Sequence, residues 1–192
     1  MSSLRDVSAT DARVVSLART ARERALALLY ETYRVRIYTF ALRLTTDADA
    51  ADDLTQETFL KAYRSLEQLT PDHRLLPWLY RIATNAAIDA ARRRKRIRWV
   101  PLLHLVGRVE EPEAADGHHA AVERHDIRRV LAELPIENAA ALLLHALEGY
   151  SYREIADIQG VSLTAVRSRI ARARSAFREG YATIAAARSS LE

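Results

Sequence analysis

Cysteine is absent from this 192-residue chain, which excludes disulfide frameworks, thiol nucleophiles, Cys-ligated zinc and thiol redox sensing together. Glycine and proline are scarce, at five each, leaving too few turn residues for a sandwich or a barrel. No uninterrupted apolar run approaches the ~20 residues that cross a bilayer, so no membrane insertion is expected. The stretch from Met1 to Val15 lacks the apolar segment of a secretory signal, and the expected location is cytoplasmic. Enzyme signatures are missing as well: there is no nucleophile elbow, Walker loop, dinucleotide fingerprint or zinc-protease helix. His118, His119 and His125 stand without a partner set of ligands. No metal, no cofactor and no catalytic residue is therefore expected.

What is present is a globular composition, 49% hydrophobic and 28% charged, able to bury a core. Lys and Arg number 29 against 25 Asp and Glu, a net charge of +4. That excess suits a phosphate-bearing partner without demanding one, so the placement of the charge decides.

Residues 1–15, rich in Ser, Ala, Asp and Arg with no sustained apolar period, read as a flexible leader. From 16 to 97 the apolar residues recur at helical spacing and predict a first domain. Leu17, Ala21, Leu28, Val35 and Leu42, widened by Leu29, Tyr33 and Ile37, predict one long helix or two short ones as far as Leu44. The next helix, from near Asp47 to about Leu66, is expected to bury Ala51, Leu54, Phe59, Ala62 and Leu66. It shows Asp52, Asp53, Gln56, Glu57 and Lys61 to solvent. Asp52 and Asp53 also suit a helix N-terminus through the dipole alone, but Gln56 and Glu57 lie a turn further on, where the dipole asks for nothing. The outward stripe is thus a candidate for meeting a basic protein surface.

After a break at Pro71, Pro77 fits the first turn of a helix from roughly Leu75 to Arg96, where its missing N–H is harmless. That helix carries Leu79, Ile82, Ala86 and Ala90 on one face and runs into six cations between Arg92 and Arg98. The dipole accounts for only a few tenths to ~1 kcal/mol of such charge. The basic end either lies solvated or, together with Asn85 and Asp89, touches bases and backbone. Trp78 and Trp99 read as core or linker anchors in preference to base-stacking platforms.

From Trp99 to Asp126 six acids outnumber two arginines, interspersed with Pro101, Gly107, Pro112 and Gly117. Residues 98–122 read as a flexible acidic linker, whose ~25 residues reach ~80 Å extended or ~25–30 Å as a coil. Residues 123–185 form the second domain. In it Ser151 and Glu154 stand in capping-box register, Gly160 suits a left-handed turn, and Ser162 caps the helix that follows. Two helices joined by a three-residue turn make a helix-turn-helix. In the last helix Leu163, Val166, Ile170, Ala173 and Phe177 form the packing stripe, leaving Arg167, Ser168, Arg169, Arg172, Arg174 and Arg178 around the rest. Such a helix is either a solvated basic surface or, inside this frame, a reader of the major groove. The expected fold is all-α: a three- or four-helix bundle and a helix-turn-helix domain, flexibly joined.

These residues resemble the extracytoplasmic-function group of the sigma-70 family of bacterial RNA polymerase sigma factors. The run from Asp49 to Tyr63 is similar to the family's region 2.2, and that from Trp78 to Lys95 to regions 2.3 and 2.4. Ser151 to Ser162, followed by Val166 to Arg174, is similar to region 4.2. The resemblance covers about 30–96 and 127–178. It implies that Asp52, Asp53, Gln56 and Glu57 dock on the polymerase, on the β′ coiled coil. It implies that Thr70, Asp72, His73 and Arg74, with Asn85, Asp89, Arg92 and Arg93, engage the −10 element as it opens. Arg167, Ser168, Arg169, Arg172 and Arg174 would read or grip the −35 element. The implied partners are core RNA polymerase, through β′ and β, promoter DNA and an anti-sigma factor; the chain itself would not be an enzyme.

Two local departures stand out. Thr164 and Ala165 occupy the place of the family's usual Gly-Thr, and the segment after Leu134-Pro135 lacks the Arg often found there. Apart from the resemblance, the residues also admit a stand-alone helix-turn-helix regulator in which 16–96 serve as a dimerisation or effector domain. An enzyme of another class would need a catalytic constellation that the sequence does not offer.

Overall fold

The structure is a computed structural model and describes residues 9–97 and 118–189. Eight α-helices follow one another in the described residues, with no strand: α1 (Ala9–Thr20), α2 (Arg22–Thr45), α3 (Ala48–Ser65), α4 (Leu75–Ile97), α5 (His118–Glu133), α6 (Ile136–Ala146), α7 (Tyr152–Gln159) and α8 (Leu163–Ser189). One 3-10 turn, Leu66–Gln68, closes α3. Helices α1–α4 form the first bundle, and α5–α8 contain the helix-turn-helix. Of the expected leader, 1–8 lie outside the described residues, as do 98–117 of the expected linker.

Helix α1 begins inside the stretch read as leader. It buries Asp11, Val14 and Ala18, an interface of one small, one branched and one charged residue that hydropathy does not register. The buried stripe of α2 is Ala25, Leu29, Tyr33, Ile37, Phe40, Ala41 and Leu44. Val35, expected within the stripe, is 63% exposed. It sits two residues from both Tyr33 and Ile37, on the opposite side of a 3.6-residue turn.

Several helix ends are set by local chemistry. Asp47 has extended backbone and accepts a 2.7 Å bond from the Ala50 N–H, a cap typically worth ~1 kcal/mol. The hydroxyls of Thr55 and Thr58, buried in α3, donate back to the Ala51 and Leu54 carbonyls at 2.7 Å, so burial leaves neither unpaired. In the second domain the Ser151–Glu154 capping box forms in both directions. Gly160 ends α7 at φ +64°, a left-handed conformation that a side chain would strain. The Ser162 hydroxyl then accepts from Ala165 N–H at 3.2 Å. These three devices fix the angle at which α8 leaves the turn.

The two bundles pack against each other, α4 on α6 and α7, and α2 on α5 and α6. Buried side chains from Val14 to Ala173 form one cluster. At the joint Tyr80 of α4 lies edge-on to Tyr150, ring centroids 5.9 Å apart, and against Phe40 at 4.9 Å. Ion pairs flank the aromatics, Arg43–Glu148 at 3.9 Å and Arg74–Glu154 at 3.4 Å. Burial, with the Glu148 carboxylate adding to it, holds the Tyr80 phenol far above its ordinary pKa. Burial likewise pushes Tyr150 up to about 12.

Candidate nucleic-acid interface

The loop Thr70–Arg74 is built as a turn. Pro71 presets φ, His73 N–H donates to the Thr70 carbonyl at 2.9 Å, and His73 Nδ1 accepts from Thr70 N–H at 2.8 Å. Leu69 is buried on one side and Leu75 on the other, so the polar residues between them are held outward. From Arg74 the surface continues along α4. Trp78, Arg81, Asn85, Asp89 and Arg92 step by three and four residues and therefore share one face. Arg81, Asn85, Asp89 and Arg92 are exposed and Trp78 is half-buried. Loop and stripe make one continuous polar surface. Arg81 lacked a sequence signal because it stands alone upstream of the arginine run.

The acidic face of α3 exposes Asp52, Asp53 and Gln56. Glu57 is engaged within the bundle. It bonds Lys61 at 2.9 Å and faces Arg93 at 3.5 Å, while Lys61 also approaches Asp89 at 3.9 Å. Asp53, Glu57 and Arg93 thereby line one depression of about 250 Å³, together with Ile136 of α6. An expected protein-binding residue and an expected DNA-binding residue thus neutralise each other across α3 and α4.

On α8, Val166, Ile170 and Ala173 are buried and Phe177 half-buried, whereas Leu163 is 37% exposed; a helix's first residue has neighbours packed on one side only. Arg167, Arg172 and Arg174 are exposed. Arg172 Nε donates to the Ser168 carbonyl at 3.2 Å. Arg169 differs: its guanidinium donates to Gln159 Oε1 at 2.7 Å, and Gln159 Nε2 donates on to the Glu137 carbonyl at 3.2 Å. That chain ties α8 to the end of α7 and the start of α6. Arg174, with Phe177, Arg178, Leu131 and Leu147, borders an apolar groove of about 550 Å³.

A third cavity, of about 440 Å³, opens between the halves, lined by His73, Arg74, Trp78 and Arg81 on one side and Glu154, Asp157 and Ile158 on the other. Carboxylates of α7 stand there against cations of the loop and α4. Burial by itself raises the Glu154 pKa, but the Ser151 N–H and hydroxyl together with Arg74 outweigh it and hold the carboxyl below 4.5. A depressed pKa stabilises the fold above the unfolded value and is lost as pH falls through the folded one. As pH falls below the ordinary glutamate range, the thermal midpoint of the wild type should therefore fall more steeply than that of Glu154→Gln. Equal slopes would remove this group from the acid response. Among the described residues no cluster of three or more His, Asp or Glu gathers to hold a metal.

Comparison with known proteins decides what these surfaces belong to. Sigma-70 region 2 matches residues 29–97, and Sigma-70, region 4 matches 124–177. The ECF RNA polymerase sigma factor SigM of Bacillus subtilis is 30% identical over 80% of this chain and 93% of its own length. The chain belongs to the extracytoplasmic-function sigma factors. The RNA polymerase sigma-H factor of Pseudomonas aeruginosa is 33% identical to this sigma factor over 86% of the chain and 91% of its own. The ECF RNA polymerase sigma factor SigE of Mycolicibacterium smegmatis is 41% identical over 75% of the chain, which spans 56% of that longer relative. Among solved structures, CnrH in complex with the cytosolic domain of CnrY shares 25% identity at a TM-score of 0.63, over 88% of this sigma factor and 96% of CnrH. RpoE of Bartonella quintana, in complex with the anti-sigma factor NepR, shares the fold at a TM-score of 0.59 and 24% identity, over 82% and 94% of the two chains. Helix α1 and the first turns of α2 precede the region 2 match. No described helix is long and apolar enough to cross a membrane.

Proposed function

We propose that this sigma factor binds core RNA polymerase through the exposed face of α3 and directs it to promoters in the cytoplasm. The −10 element is taken by the loop Thr70–Arg74 with α4, and the −35 element by α8. The observation that carries the reading is the order of surfaces: an exposed acidic helix, a polar loop and basic helix beside it, and a capped helix-turn-helix in a separate bundle. Opening duplex costs a few kcal/mol for each unstacked step, and capture of the displaced strand offsets that cost without hydrolysis. Chemistry stays with the polymerase, and the sigma factor contributes differential binding alone.

The test is reconstitution. The purified sigma factor added to core should yield one complex and promoter-dependent run-off transcripts; absence of a complex with core would overturn the reading. Arg167, exposed on α8, should then distinguish reading from gripping. Arg167→Ala should weaken −35 recognition by ~1–3 kcal/mol at one position if the guanidinium forks onto a base. If it holds phosphate, affinity should fall alike for all sequences and the salt slope should drop by about one. An anti-sigma factor is a further proposed partner, since the Bartonella RpoE, which has the same fold, is held in complex with the anti-sigma factor NepR.

A further inference from the structure

The loop proposed to take the −10 strand runs directly into α4, and α4 starts without a capping residue of its own. Arg74 occupies the position before the first helical residue, and a guanidinium accepts no hydrogen bond. Within the first turn Pro77 has no N–H, and the Trp78 N–H reaches the Arg74 carbonyl at 3.3 Å. The free donors are the N–H groups of Leu75 and Leu76, on residues that are themselves buried. The acceptor comes from far away in sequence. Asp11 Oδ2, on α1, accepts from Leu75 N–H at 3.3 Å, across 64 residues. Its other oxygen, Oδ1, accepts from the Tyr33 hydroxyl of α2. Asp11 is 5% exposed. One buried carboxylate therefore joins α1, α2 and the first residue of α4, at the point where the loop ends.

We propose that Asp11 is a positioning residue for promoter opening: by capping α4 from α1 it fixes Arg74 and the Thr70–His73 turn in the orientation that receives the displaced −10 strand. The proposal rests on the promoter-opening reading above. Asp11 touches no DNA in this account. It acts through the backbone of Leu75, and α1 is thereby part of the DNA-reading apparatus although it lies outside the matched region 2 unit.

The experiment uses the full chain reconstituted with core polymerase. The probe is a duplex with a single-stranded −10 segment, selected beforehand from a randomised pool by the wild-type holoenzyme. Core affinity is measured in parallel. Asp11→Ala should weaken probe binding about tenfold, since a buried donor loses its acceptor. Core affinity should stay unchanged. Asp11→Asn keeps an oxygen for the Leu75 N–H and should bind within about threefold of wild type. Asp11→Leu fills the space, so the chain folds, but offers no acceptor; it should behave as the Ala variant.

If Asp11→Leu restores binding, or core affinity falls in the same proportion, the residue only fills the core and the proposal is overturned. An Ala variant that binds the probe as wild type does overturns it equally. Should the wild type itself fail to bind core or any probe, the promoter reading falls and this inference with it; variants indistinguishable from a competent wild type sink the inference alone.

Discussion

A short bis-maleimide bridge between Arg43→Cys and Glu148→Cys is expected to bring promoter-dependent transcription to background, while the unbridged double variant keeps it. The side chains at these positions approach to 3.9 Å across the joint between the bundles, and neither belongs to a proposed DNA or polymerase surface. The chain has no native cysteine, so the bridge forms at one place. The reason for the loss is length. The −35 and −10 elements lie about 25 base pairs apart, ~85 Å of duplex at about 3.4 Å per step. The two packed bundles, residues 9–97 and 118–189, are together only ~40 Å across. With the bundles packed as they are, both elements cannot be touched at once.

The occupied surfaces point the same way. Arg74 is paired with Glu154, so the loop proposed to take the −10 strand meets carboxylates of α7 where it would meet phosphate. Each exposed or half-exposed pair contributes at most ~1 kcal/mol, so what DNA and polymerase binding must chiefly offset is the apolar packing of Tyr80 on Tyr150 and Phe40. Full activity in the bridged protein would show that the packed arrangement is itself competent and would remove domain separation from the mechanism.

The second large effect is expected at α3. Asp53→Ala combined with Glu57→Ala should lower affinity for core by more than about a hundredfold, the sum of two charged contacts at ~1.5–3 kcal/mol each. Folding should survive. The helix is anchored by Ala51, Leu54, Phe59 and Ala62, all buried, and surface pairs such as Glu57–Lys61 add little. The single variants divide the effect. Asp53 is exposed and free to meet the partner, whereas Glu57 must first leave Lys61 and Arg93, so Asp53→Ala should carry the larger share. Wild-type core affinity in the double variant, with an unchanged melting temperature, would exclude this face of α3 from the contact.

What the sequence made legible was local. The capping box, the left-handed Gly160 and the Ser162 cap each depend on residues within three or four positions, and each forms as expected. The acidic and basic stripes were legible for the same reason, since helical spacing alone places them. What escaped depends on partners far along the chain. Asp11 looks like an ordinary leader residue until α4 is folded 64 residues away against it. Arg169 counts among the exposed arginines by spacing, yet Gln159 takes its guanidinium. The packing of Tyr80 on Tyr150 joins residues of two domains that charge and composition separate. Val35 shows how a broad apolar stripe hides its own centre: half-buried leucines on both flanks of α2 left its phase open.

The most direct measurement is a footprint on a promoter selected from a randomised pool, made with the sigma factor alone, with core alone and with both. Two unlike segments about 25 base pairs apart should be protected, with strand opening at the downstream one, only when core and sigma factor are together. Tight protection of a two-fold symmetric site by the chain alone would contradict it, because a self-sufficient dimeric regulator leaves that mark.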